Sequence, residues 1–207
     1  NMSAVQRLCE SSMLVKNGQL DRYGRTQDVI PEYISGNLAD RSRPKTWINL
    51  NESQRTGNGK IRFEQVMYSS DDPQIAYMAY TQGPLDVSLI IHSVDDFSLN
   101  SLSVILFDQY GNKLINADTV SRGEIIACKK GRNEVIVRVT ALNLNPGIFS
   151  LGLWMSDWKG SNYDVLDFMP SAVSIEVIKR EDSTKGVRAD GIVACDFAVV
   201  EKRRQNA

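Results

Sequence analysis

Histidine occurs once in this chain, as His92, and cysteine three times, as Cys9, Cys128 and Cys195. A structural zinc site asks for four soft ligands at close spacing, and no CxxC or Cys/His pair stands here to supply them. The scattered, odd-numbered cysteines point to reduced thiols and not to a disulfide framework. A single imidazole leaves general acid–base catalysis little to work with, and no nucleophile–base pair accompanies it. An excess of either charge is missing too: 24 Lys and Arg face 25 Asp and Glu. A nucleic-acid backbone is bound through a basic stripe, so no nucleic-acid partner is expected. The Lys202-Arg203-Arg204 run belongs to a solvated basic tail, residues 201–207. No run approaches the roughly 20 apolar residues of a membrane helix, and no secretory signal opens the chain. The GxxxxGK[ST] loop that cradles phosphates is absent as well. The chain starts at Asn1 inside a helix-like pattern, which predicts a piece of a longer protein.

What is present is ordinary for a globular core: 42% hydrophobic and 24% charged residues. Residues 1–34 read as α/β. Met2, Val5, Leu8 and Cys9 recur at helical spacing. Asn17-Gly18, between two short apolar runs, predicts a tight hairpin, because both central residues must take positive φ. Thr26 is placed to cap a last short helix carrying Val29, Ile30 and Tyr33, with Pro31 kinking or shortening it. Residues 35–59, rich in Gly, Asn, Ser and Arg, hold neither period and read as a linker.

From residue 60 to 200 the pattern is strand, turn, strand. Leu85, Val87, Leu89 and Ile91 alternate; so do Leu102, Val104 and Leu106, then Val135, Val137 and Val139, then Phe149, Leu151 and Leu153. Turns are marked by Asp108-Gln109-Tyr110-Gly111-Asn112 and Asn145-Pro146-Gly147, and Tyr110 reads as a turn residue. Further strands are expected at 61–68, 75–81, 172–178 and 192–199. Short strands at regular spacing, without crossover helices, predict an antiparallel β-sandwich of immunoglobulin-like or jelly-roll-like type.

The order of elements in MSAVQRLCESSMLVKNGQLDRYGRTQDVIPEYI resembles the end of an ABC-transporter ATPase domain. The phrases FDQYGNKLINADT, VIVRVTALNLNPGIFSLGLW and GIVACDFAV resemble the C-terminal domain of Wzt-type exporters of O-antigen polysaccharide. The resemblance implies a glycan-recognition domain behind an ATPase remnant, with ATP and Mg²⁺ handled only by the full-length protein and no cofactor here. It implies a cytoplasmic subunit, peripheral at the inner membrane through a permease, and paired as a homodimer. The segment 192–199 is a candidate for exchange between the two copies. Related exporters of teichoic acids or capsular glycans share the same ATPase tail.

Saccharide binding asks for a flat aromatic surface beside hydrogen-bonding groups. Alternation sends Ser150, Gly152 and Trp154 to the face opposite Phe149, Leu151 and Leu153. It likewise turns Arg138 and Thr140, and Asp86, Ser88 and His92, away from the core. If these strands share a sheet, Ser88, His92, Arg138, Ser150 and Trp154 form one polar groove, with Trp158 and Tyr163 in a polar loop, WMSDWKGSNYD, over its end. The blander reading of Trp154 is packing against the linker, against Trp47 or against a dimer mate. His92 reads as an ordinary exposed or hydrogen-bonded side chain ahead of a ligand contact, and Asp95-Asp96 as a solvated turn, since glycosidase carboxylates must flank one bond. A purely dimerising domain is the alternative function, and an enzyme is not expected.

Overall fold

The computed structural model describes residue 5 and residues 8–16, 18–26, 28–29, 43–159, 162–179 and 191–194. It opens on a hairpin, β1 (Ser11–Lys16) and β2 (Gln19–Arg25), in which Lys16 pairs with Gln19 and Gly18 takes φ 78°. The two-residue connection is the one expected there. Val5 and Leu8 are helical before the hairpin, and Thr26, Asp28 and Val29 after it. The rest of the two expected helices lies outside the described residues, as do the basic tail and the latter part of the segment 192–199. Thr26 leads its helical turn, but its hydroxyl is buried without a hydrogen-bond partner among the described residues, so the expected cap is not made.

Eleven further strands complete the described chain: β3 (Ile48–Asn49), β4 (Ile61–Ser69), β5 (Ala79–Tyr80), β6 (Leu85–Ser93), β7 (Phe97–Leu99), β8 (Ser101–Phe107), β9 (Lys113–Asp118), β10 (Ile126–Cys128), β11 (Gly131–Val139), β12 (Gly147–Lys159) and β13 (Asn162–Ile178). They build a four-stranded sheet in the order β11-β6-β4-β3 and a five-stranded sheet in the order β5-β13-β12-β8-β9, with β7 and β10 paired separately. Pairing is antiparallel except between β13 and the short β5.

One core lies between the two sheets. Leu85, Val87, Leu89 and Ile91 of β6 meet Leu102, Val104 and Leu106 of β8 and Leu151 and Leu153 of β12, all fully buried. Each such side chain contributes roughly 1.5–3 kcal/mol through its removal from water. Strand β4 keeps its inward set by a bulge between Phe63 and Gln65, so that Ile61, Phe63, Val66 and Tyr68 all face the core. The Tyr68 phenol, desolvated there and further disfavoured as a phenolate by Glu176, is pushed up to about 12. The β8–β9 turn is held by Asp108, whose carboxylate accepts from the backbone N–H groups of Tyr110 and Asn112 at 2.8 Å and from the Asn112 amide at 2.7 Å.

Further expectations change: the strand expected at 75–81 is confined to Ala79–Tyr80, behind a 3-10 turn at Pro73–Ile75. The linker ends earlier than residue 59: Ile48–Asn49 pairs with β4, and Leu50 is fully buried in the core. Alternation could not show this, because a two-residue strand carries no period. The described residues of the polar loop expected over 154–164 are strand, since β12 runs to Lys159 and β13 resumes at Asn162.

The former linker is locked in place by Arg55 and Asp167. Arg55 donates to Asp167 Oδ2 at 3.0 Å, to the Phe63 carbonyl at 3.1 Å and to the Leu50 carbonyl. The Phe63 N–H donates to the same carboxylate at 2.9 Å. This pair therefore ties β4 of one sheet to β13 of the other. Burial raises the Asp167 carboxyl above its ordinary value, and the Phe63 N–H and the charges of Arg55 and Arg62 offset only part of that rise. Beside it, Thr56 and Phe168 exchange backbone hydrogen bonds at 2.9 and 2.7 Å, covering the free edge of β13.

Candidate functional site

The outer face of the five-stranded sheet carries a groove of about 580 Å³, within the roughly 300–1,000 Å³ usual for small-ligand sites. Its floor is β8. Because Leu102, Val104 and Leu106 point to the core, Ser101, Ser103, Ile105 and Phe107 point to the groove. One wall is aromatic: Trp154 of β12 meets Tyr163 and Phe168 of β13 edge-on, with ring centroids 5.7 and 5.3 Å apart. The other side is polar and comes from Lys113, Asn116 and Asp118 of β9.

Local packing fixes these side chains. The Trp154 indole N–H donates to Ser156 Oγ at 3.2 Å, which sets the ring's orientation. The Ser101 hydroxyl donates to Asp118 Oδ1 at 3.3 Å, and the same oxygen accepts from the Val120 N–H at 3.0 Å. Phe107 lies over Gly152: a Cβ at that glycine would stand 2.6 Å from the ring and 3.2 Å from the carbonyls of Met169 and Pro170. Gly152 is thus the seat of an aromatic ring and not an open floor beside Trp154. Tyr163 is exposed at the rim, whereas Ser101, Ser103 and Ile105 are buried at the base.

The expected site residues do not form one groove. Trp154 lies in it, half-buried against Tyr163 and Phe168. Ser150 lies further along β12, where its hydroxyl donates to Ser171 at 2.8 Å and does not line the groove. Trp158 pairs with Tyr163 on the β12–β13 hairpin, and its side chain lies outside the described residues. Ser88, His92 and Arg138 belong to the four-stranded sheet, so their outer faces point to the opposite side of the sandwich. There Arg138 grips Asp86 through two hydrogen bonds of 2.6 Å, and this side-chain bonding holds the Asp86 carboxyl below its ordinary value. His92 stands in register between Arg62 of β4 and Arg132 of β11. The premise that three strands share a sheet fails because alternation states in or out and says nothing about which sheet a strand joins.

Other candidates are structural. Asp96 accepts from Lys129 Nζ and from the Lys130 N–H, both at 2.9 Å, so the Asp95-Asp96 turn clasps the turn between β10 and β11. Cys128 is buried and Cys9 exposed, Cys195 lies outside the described residues, and no metal-competent cluster occurs among the described residues. No helix among the described residues is long and apolar enough to cross a membrane. The groove residues that the expected site lacked include Ser103, Phe107 and Phe168. The first two were legible as the outward complement of Leu102, Val104 and Leu106, whereas Phe168 needed the β12–β13 register.

A family model described as the Wzt C-terminal domain matches residues 52–194. The chain belongs to the Wzt C-terminal domain family. The matched span begins inside the former linker and ends in the last described segment, so it takes in β4 to β13 and the crossing segment held by Arg55, and leaves out the short β3. A solved structure titled as the crystal structure of the C-terminal domain of Wzt is similar with a TM-score of 0.60 at 17% identity, over 77% of this chain and 93% of that one. At that identity the likeness concerns the fold, which is the mainly β, antiparallel sandwich expected. The curated proteins yield no match.

Proposed function

We propose that this Wzt C-terminal domain recognises the exported O-antigen-type polysaccharide in the groove on the outer face of its five-stranded sheet. The observation that carries the reading is the Trp154–Tyr163–Phe168 wall facing a serine-bearing floor. A pyranose has an apolar C–H face and a hydroxyl rim, and this groove offers a surface for each. The site named on this reading is Trp154 with Tyr163, Phe168, Phe107 and Ser103. Trp158 and Ser150 remain candidates for contacts further along a polymer, and Ser88, His92 and Arg138 take no part in this groove. The domain binds and does not catalyse, while ATP hydrolysis belongs to the upstream part of a full-length exporter. Support for an ATPase remnant in the first 34 residues comes from the resemblance of their order of elements to the end of such domains; the hairpin of that order is β1–β2.

The test is titration of the native polymer, followed by amide NMR. Shifts are expected on β8, β12 and β13, and Trp154→Ala should reduce affinity by about tenfold or more, in line with the loss of an aromatic anchor. Shifts confined to β6 and β11, or none at millimolar sugar, would refute the reading.

A homodimer that works with a membrane permease is the second part of the proposal. The edge strand β11 supports it, with Ile136 exposed on a nine-residue strand. The described part of the terminal segment pairs within its own chain: the Asn145 N–H donates to the Ile192 carbonyl and the Ala194 N–H to the Asn143 carbonyl, both at 2.9 Å. Exchange of the segment 192–199 between two copies would form these same hydrogen bonds across the dimer. A sedimentation value matching the 23.1 kDa monomer at all concentrations would exclude the dimer.

A further inference from the structure

We infer that the sugar this groove selects carries a methyl group, as a 6-deoxy or acetylated residue, and is not a fully hydroxylated hexose. The inference rests on the reading of the groove as the saccharide site. Beside the floor serines, Ile105, Phe107, Trp154 and Phe168 present hydrocarbon to the groove. The polar groups among them are turned largely on one another. The indole N–H, the usual polar handle of a tryptophan, is taken by Ser156, and the Ser101 hydroxyl is taken by Asp118, whose Oδ1 also caps the turn at Val120. Ser103 adds one more hydroxyl to the floor. The exposed polar side chains, Lys113 and Asn116, stand on the β9 rim.

The groove therefore has a direction. A ring laid against the aromatic wall directs hydroxyls to the β9 rim and one substituent down toward Ile105 and Phe107. A hydroxyl sent there exchanges water for hydrocarbon and loses about tenfold in affinity. A methyl in its place gains roughly fourfold, as one buried carbon does.

Two matched pairs test this on the whole chain by NMR titration: D-rhamnose against D-mannose, and N-acetylglucosamine against glucose. In at least one pair the methyl-bearing member should bind fivefold or more tightly, with shifts at Ile105 and Phe107, and the pair that does so identifies which methyl is read. Phe107→Tyr, which keeps the ring and adds a hydroxyl, should shrink that ratio. Equal or tighter binding of the hydroxylated member in both pairs overturns the inference. So does silence of both pairs while the native polymer still shifts Trp154, and in either case the glycan reading survives. Silence of the polymer as well removes both.

Discussion

Arg55→Met removes the guanidinium that reaches three acceptors and leaves a methylene stem of similar length. Asp167 stays behind at 2% side-chain exposure with the Phe63 N–H as its remaining close donor. Stranding a fully buried carboxylate costs about 3–5 kcal/mol. Arg55 is itself 17% exposed, so water entering along its path places the cost near the lower bound, about 3 kcal/mol. The Leu50 and Phe63 carbonyls lose a donor each and add about 1 kcal/mol together. The expected loss is about 4 kcal/mol in urea unfolding followed by tryptophan emission. Asp167 already has a folded pKa above its unfolded one, so its favourable term is full below the unfolded pKa and fades as pH rises through the folded pKa. Without Arg55 the folded pKa rises further. The deficit of the variant should therefore be largest well above the carboxyl's raised folded value and shrink on acidification, as Asp167 takes up its proton. Arg55→Met/Asp167→Leu should recover part of the loss, because no charge is then stranded. A cost below about 1 kcal/mol, or a deficit that grows on acidification, would refute the claim that this pair locks the crossing segment to both sheets.

Gly152→Ala forces the Phe107 ring off its seat, so a stability loss of about 1–3 kcal/mol is expected together with weaker glycan binding; unchanged thermal unfolding and unchanged titration would show that the ring is not seated there. Arg138→Ala should leave glycan binding intact, because Arg138 stands on the other sheet, and should change stability little, since the arginine is 62% exposed and its ion pair with Asp86 is screened by water. The Asp86 carboxyl is held low by Arg138, so the pair contributes above the unfolded pKa of Asp86 and fades as pH falls through its folded value. The variant should therefore unfold with a weaker pH dependence below the ordinary carboxylate range, and loss of glycan binding in it would return the site to the four-stranded sheet.

Much of this architecture is written locally. Side chains two apart on a strand share a face, so Leu85 to Ile91, Leu102 to Leu106 and Phe149 to Leu153 disclosed their inward sides without any partner being known. The Asn17-Gly18 step and the Asp108 turn were equally readable, because their φ demands and side-chain hydrogen bonds span only a few residues. That Trp154 faces outward was legible for the same reason. Tertiary structure alone decided which strands became neighbours. Strand β12 joined β8 and β13, while β6 and β11 joined each other, and this sent Trp154 to one side of the molecule and Arg138 to the other. Sheet membership depends on long-range burial and pairing, which a period of two cannot encode. The same holds for Phe168: the shift in register between Met155 and Ser156, between the hairpin end and the pair, sets it opposite Trp154. Arg55 and Asp167, 112 positions apart, meet only because both sheets close over them.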